Sequence, residues 1–352
     1  MSKKRNRENQ GLPKNWRLKH NAYYFRVNPA EKDRWDGKTE FRLGKTLAEA
    51  YAEYSKRITF SSDLRTIGDL LDRYAAQVVP LKAVKSQQSN LHSIKYLKKV
   101  FSKVLIKSLK PSDVFQYMDI RSQQGKMNAS ANRDLEVLSH AYTCAIRWGA
   151  CEIHPTKGKV QKLKTKPVDR YVTDQEVLEV LKVADRFMSA YIKLKLMTGL
   201  RKSDLLTIRL QDIKDYGLHV RPSKTAHTTG QEIIFEWNDQ LKALVELIVA
   251  LPKRRRTDYL FETRGGKPYI NLEKATNSFD SRWQRFMKKA LIETNLKESF
   301  REHDLRAKPA SDSDLVHAQH LLGHASPEMT KRAYRRKADV VAPMSYDFID
   351  IE

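Results

Sequence analysis

The stretch LLGHASPEMTKRAYRR, residues 321–336, sets Tyr334 ten residues after His324 and directly before two arginines. A tyrosine there is either core filling or a nucleophile held for a phosphate. Other motifs upstream bear on the choice. Arg201 stands in MTGLRKSDLL (197–206), Lys224 in RPSKT (221–225), and His303 and Arg306 in HDLR (303–306). Taken singly each is weak: a lone arginine in a turn is usually a surface residue, an HxxR pair usually a salt bridge or cap, and a lone tyrosine usually core. Their order along one chain is the stronger signal.

Cleaving a DNA phosphodiester without metal needs three things. A nucleophile must attack phosphorus, fixed cations must meet the charge on the non-bridging oxygens, and the leaving 5′ oxygen must gain a proton. Forked guanidinium groups suit the second task. A tyrosine nucleophile would leave a covalent phosphotyrosine that conserves the bond energy, so resealing needs no ATP. Arg201 follows Gly199 on a turn that can project a guanidinium. Lys224 ends the first strand of an expected hairpin and can reach into a site. His303 and Arg306 stand at i and i+3, on one helix face.

The bulk numbers agree with a polyanionic partner. The chain has 352 residues and a formal net charge of +24, which predicts nucleic acid or an anionic membrane surface. Residues 1–170 hold 35 basic and 16 acidic side chains against 31 and 26 in residues 171–352. The first half therefore reads as the phosphate clamp and the second as a catalytic or assembly domain. No apolar run is long enough for a membrane span, the N-terminus lacks the apolar core of a secretory signal, and two cysteines argue for a reducing cytoplasm.

Read in order, residues 1–62 form a small unit: a basic tail, aromatic strands around AYYFRV and TEFRLGKT, then the helix LAEAYAEYSKRI. Residues 66–152 read as a helical domain. Thr66 caps its first helix, and Leu135, Leu138, Tyr142 and Ile146 line one side of its last. Residues 82–126 carry ten basic and two acidic side chains, a strongly positive helical face. Residues 153–170 read as an exposed basic linker. A capping box at Thr173 and Glu176 opens a domain over 171–340, in which a helix ends at Gly199 and a β-hairpin surrounds AHTTG. The acidic tail 341–352 is expected to pack on a neighbour. The fold class is mainly α with small β elements, an α+β chain of several domains.

Two other motifs carry little. GKTEFRLGKT lacks the glycine a P-loop needs, since Thr39 stands in its place. His140, Cys144, Cys151 and His154 match no common zinc spacing, so Cys144 reads as core filler. No cofactor or metal is expected.

TGLRKSDLL, SKT, HDLR, LLGH and the final tyrosine stand in the order of the tyrosine recombinases, and residues 171–340 resemble the catalytic domain of this phage integrase family. The resemblance implies that Arg201 and Arg306 clamp the scissile phosphate, Lys224 protonates the leaving oxygen, His303 and His324 assist by proton transfer or phosphate contact, and Tyr334 attacks. Asp204 would orient the first arginine. Upstream, residues 66–152 resemble the core-binding domain that closes with the catalytic domain as a C-shaped clamp, and residues 11–60 resemble the arm-type DNA-binding domain of phage and island integrases. The implied partners are double-stranded DNA at core and arm sites and further copies of the chain in a tetramer. The resemblance also implies a host DNA-bending protein and an excisionase as partners, in the bacterial cytoplasm. Alternatives are a chromosome-dimer resolvase of the same family, or a decayed integrase acting as a DNA-binding regulator. Two spacings depart from the family pattern: 306 to 324 is several residues short, and 324 to 334 is one residue long. An extra helical residue rotates a side chain by about 100°, so the segment either starts its helix differently or delivers its tyrosine differently.

Overall fold

The computed structural model describes residues 9, 11–57, 64–123, 128–166, 169–223, 230, 232–251, 258–263, 265–270, 277–324 and 326–337. Among them the chain is mostly helical with two small antiparallel sheets, and it divides into two compact units, Met1–Lys166 and Pro167–Glu352.

The first unit opens with β1 (Trp16–Lys19), β2 (Ala22–Arg26) and β3 (Glu40–Gly44), paired in that order. Strand alternation turns Trp16, Phe25 and Phe41 inward, where Trp35 and the helix α1 (Leu47–Arg57) close over them with Tyr51 and Tyr54. Four helices follow: α2 (Ile67–Gln77), α3 (Val84–Phe101), α4 (Pro111–Gln123) and α5 (Asn128–Arg147). Thr66 and Asp69 form a reciprocal capping box at the start of α2, and Ile67, Leu70, Leu71 and Tyr74 are fully buried on its inner stripe. Sheet and helices share one continuous core running from Leu12 to Cys151. The Tyr51 hydroxyl on α1 also donates to Asp72 on α2 at 3.0 Å, and Lys98 on α3 meets the same carboxylate at 2.7 Å.

Two details differ from the sequence reading. Ile146 is 38% exposed, and the buried face of α5 ends instead at Cys144 and Ala145. Part of the basic linker is docked rather than exposed. Val160 and Leu163 pack on the helical core, and the side-chain amide of Asn132 holds the Leu163 backbone with two 2.8 Å bonds. One amide side chain thus substitutes for a strand partner, a pairing that charge and composition do not reveal. Cys144 and Cys151 are buried thiols. His140 pairs with the Tyr74 hydroxyl, and His154 with the Ser139 carbonyl and the 156–157 turn.

The second unit contains α6 (Asp174–Lys182), α7 (Arg186–Thr198), the short α8 (Lys202–Leu205), β4 (Ile213–Lys214), β5 (Gly217–Val220), β6 (Ile233–Glu236), α9 (Asp239–Val249), α10 (Asn277–Glu293), α11 (Asp304–Asp312), α12 (Leu315–Leu322) and α13 (Pro327–Tyr334). The capping box at Thr173 and Glu176 is present. The hairpin strands β5 and β6 pair as expected, and β4, too short to read from sequence, extends them to three. Core aromatics Tyr191, Phe261, Phe279 and Trp283 pack with the buried face of α7. No helix among the described residues is long and apolar enough to cross a membrane.

Candidate active site

The site is organised around the end of α7. Gly199 caps that helix with φ +59°, a left-handed conformation that costs glycine little. A Cβ there would also stand 2.9 Å from Leu322 Cδ2, so glycine lets α12 approach. The turn releases Arg201 as the N-cap of α8, with a mostly buried side chain.

Arg306, in the first turn of α11, is 1% exposed. Its Nη1 donates to the Gly199 carbonyl, its Nη2 donates to the Leu322 carbonyl at 2.8 Å, and the same Nη2 lies 3.3 Å from His324 Nε2. One guanidinium therefore joins the ends of α7 and α12. Its Nε has no partner among the described residues. Burial first, and then the Arg201 charge, pull its pKa down to about 10, so it stays ionised at neutral pH. Two guanidinium groups near enough to repel each other, one with an uncommitted buried donor, form a site prepared for an anion.

Gly323, with φ +59°, ends α12 and turns His324 inward. That imidazole is buried, with Nδ1 2.9 Å from the hydroxyl of the fully buried Thr330. Ser326 then caps α13 and Pro327 takes its first turn. Tyr334 is the last residue of this helix. Its ring lies 4.9 Å from that of His324 and 5.2 Å from the Arg306 guanidinium carbon, and its hydroxyl is 3.4 Å from His303 Nε2. The tyrosine reaches the cluster despite the longer spacing because α13 is a separate helix, started at its own cap after His324. Arg336 anchors its far end: Nη1 donates to Asp304 at 2.8 Å and to the Arg170 carbonyl at 2.9 Å, while Ser311 bonds both the Tyr334 carbonyl and the Arg336 amide.

His303 immediately precedes α11, with its ring at the surface of the cluster. Burial of its surroundings and the Lys195 charge push its pKa down to about 4, so it is neutral at pH 7. Asp204, the expected orienter of Arg201, lies 3.9 Å from that arginine. Its stronger bonds are to Ser223, whose amide and hydroxyl donate at 3.0 and 2.7 Å. Asp204 thus anchors the chain just ahead of Lys224. Lys224 itself, most of the AHTTG turn and the tail 341–352 lie outside the described residues.

The structure therefore brings Arg201, His303, Arg306, His324 and Tyr334 together. It also adds groups that sequence reasoning missed. Tyr191 and Lys195 on α7 contact Glu302, and Arg301 and Arg336 grip Asp304. Lys195 had a signal in the sequence, since it is a cation four residues after Tyr191 on an otherwise apolar helical stripe. Asp304 and Arg336 had none, because their pairing joins segments 32 residues apart.

Residues 170–340 match the model of the phage integrase family. Residues 170–340 are therefore a phage integrase family domain, that of the tyrosine recombinases. The chain is 24% identical over 365 residues to the integrase of Enterobacteria phage 434 and 24% identical over 368 residues to that of Escherichia phage lambda, each alignment covering 94% of this chain and 96% of the relative. The solved structure of a lambda integrase tetramer bound to a Holliday junction is similar in fold, with a TM-score of 0.64 at 21% identity, covering 97% of this chain and 99% of that one.

Proposed function

We propose that this protein is a site-specific DNA recombinase that cuts and rejoins DNA through a covalent 3′-phosphotyrosine, with Tyr334 as nucleophile. The observation that carries the assignment is the Tyr334 hydroxyl beside a neutral imidazole and against a buried, charged guanidinium. In the forward step the Tyr334 oxygen bonds to phosphorus and its proton passes to His303. The bond from phosphorus to the 5′ oxygen breaks, and Lys224 supplies that oxygen's proton. Arg201 and Arg306 hold the non-bridging oxygens, while His324, fixed by Thr330, completes the phosphate pocket. A 5′-hydroxyl from another strand reverses the sequence and reseals.

Residues 1–62 would bind arm-type sites, 66–152 the core site, and 171–340 would carry the chemistry. The acidic segment 341–352 would dock on an adjacent protomer of a tetramer. The element moved would be a prophage or genomic island, in a bacterial cytoplasm. The relatives support these assignments, being named integrases, one of them solved as a tetramer on a Holliday junction.

The test is a denaturing-gel adduct assay on DNA flanking the gene, without metal or ATP. Wild type should form a covalent protein–DNA adduct, and Tyr334→Phe should bind the DNA without forming one. An adduct formed equally by both would move the nucleophile elsewhere.

A further inference from the structure

Beneath the candidate catalytic cluster lies a pair of charges that the chemistry above leaves unused. Lys195 on α7 is fully buried, and Glu302, directly ahead of His303, is nearly so. Their Nζ and Oε1 atoms are 2.7 Å apart, and the Tyr191 hydroxyl donates to the same Oε1 at 2.6 Å. The Lys195–Glu302 contact is an ion pair, and Nζ has no further hydrogen-bond partner among the described residues. Lys195 sits on the stripe that also carries Met188, Tyr191 and Ile192 into the core. An apolar residue there would avoid the desolvation that a buried ion pair suffers. Fold stability therefore does not explain the pair.

Its position suggests a different role. On one side of His303, Glu302 is tied down to α7. On the other, Asp304 is gripped by Arg301 and Arg336. The short segment 301–304 is thus fixed at both flanks of the imidazole. We propose that Lys195 and Glu302 are positioning residues that hold His303 against the Tyr334 hydroxyl and balance the charge it experiences. The inference rests on the recombinase reading of the site.

The charged and titratable groups facing His303 are Lys195 from α7, Glu302 beside it, Arg306 from α11, and Tyr334 and Arg336 from α13 and its exit. Removing Lys195 alone leaves Glu302 uncompensated, which favours protonated His303. Removing the Glu302 charge alone does the opposite. A role limited to packing has no such sign.

The experiment is single-turnover adduct formation on a nicked trapping substrate from pH 4.5 to 8, using full-length protein. Wild type must first form the adduct, and failure there would count against the recombinase reading rather than this pair. Lys195→Met should move the acid limb upward by about one pH unit or more, and Glu302→Gln should not move it upward. Lys289→Met, at a surface ion pair, should track wild type. Should Lys195→Met not fold, the double variant Lys195→Met/Glu302→Leu removes both buried charges. It should keep its Tm yet form adduct at least about tenfold more slowly at every pH. Equal loss of amplitude in both single variants with no shift of profile, or wild-type rates in the double variant, would overturn the proposal.

Discussion

Arg306 does two jobs that compete for one guanidinium. It satisfies the carbonyls ending α7 and α12, and it carries the charge that meets the Tyr334 ring. A lysine would bring the charge as a point but could not bridge two carbonyls with a planar fork. His303 offers the clearest test at this scale. Its folded pKa of about 4 lies below the ordinary histidine value of 6.5, so between those values the unfolded chain binds more protons than the folded one. Stability should therefore fall as pH drops through that window. Urea melts at pH 7 and pH 5 should show wild type losing more stability than His303→Gln. Equal losses would remove His303 from the account. In the adduct assay, the contribution of neutral His303 should hold level from pH 8 to about 5, because its pKa is pushed down to about 4.

Among the elements, short helices started at their own caps do the positioning. Ser326 and Pro327 start α13 independently of α12, which is how a segment one residue longer still delivers Tyr334 to the cluster. Gly199 is the corresponding device between α7 and α8. Gly199→Ala would put a Cβ on a residue at φ +59° and 2.9 Å from Leu322 Cδ2, costing roughly 1–3 kcal/mol in strain and displaced packing. Because the same turn carries Arg201 and the carbonyl that Arg306 grips, adduct formation should fall more steeply than stability. Denaturation and single-turnover rates on one preparation would check this, and a stability loss with an unchanged rate would argue against the turn as a positioning element.

For the whole molecule, the charge is concentrated in one half. Residues 1–170 carry 19 of the 24 surplus positive charges, so binding should weaken steeply with salt as phosphates are neutralised and counterions released. Lys157 and Lys159 are exposed on the segment leaving the helical domain. Replacing both with alanine should make the slope of log affinity against log salt less steep by about 1–2, at similar cost on specific and random DNA. A sequence-selective loss would mean that these lysines contact bases.

Helix limits at Thr66, Thr173 and Gly199, the hairpin of β5 and β6, the basic first half and the grouping of Arg201, His303, Arg306, His324 and Tyr334 were legible in the sequence, while Lys224 lies outside the described residues. Each depends on neighbours a few residues away or on a motif order that a family shares. The docking of Leu163 on Asn132, the short strand β4, the grip of Arg336 on Asp304 and the Lys195–Glu302 pair were not. They join segments from 31 to 107 positions apart or rest on two residues of backbone pairing. Sequence alone determined which side chains could do the chemistry, because charge, nucleophilicity and local caps belong to the residues themselves. Only the tertiary structure decided that Tyr334 meets His303 and Arg306, and which buried charges surround them, because distance and desolvation exist only once the helices pack.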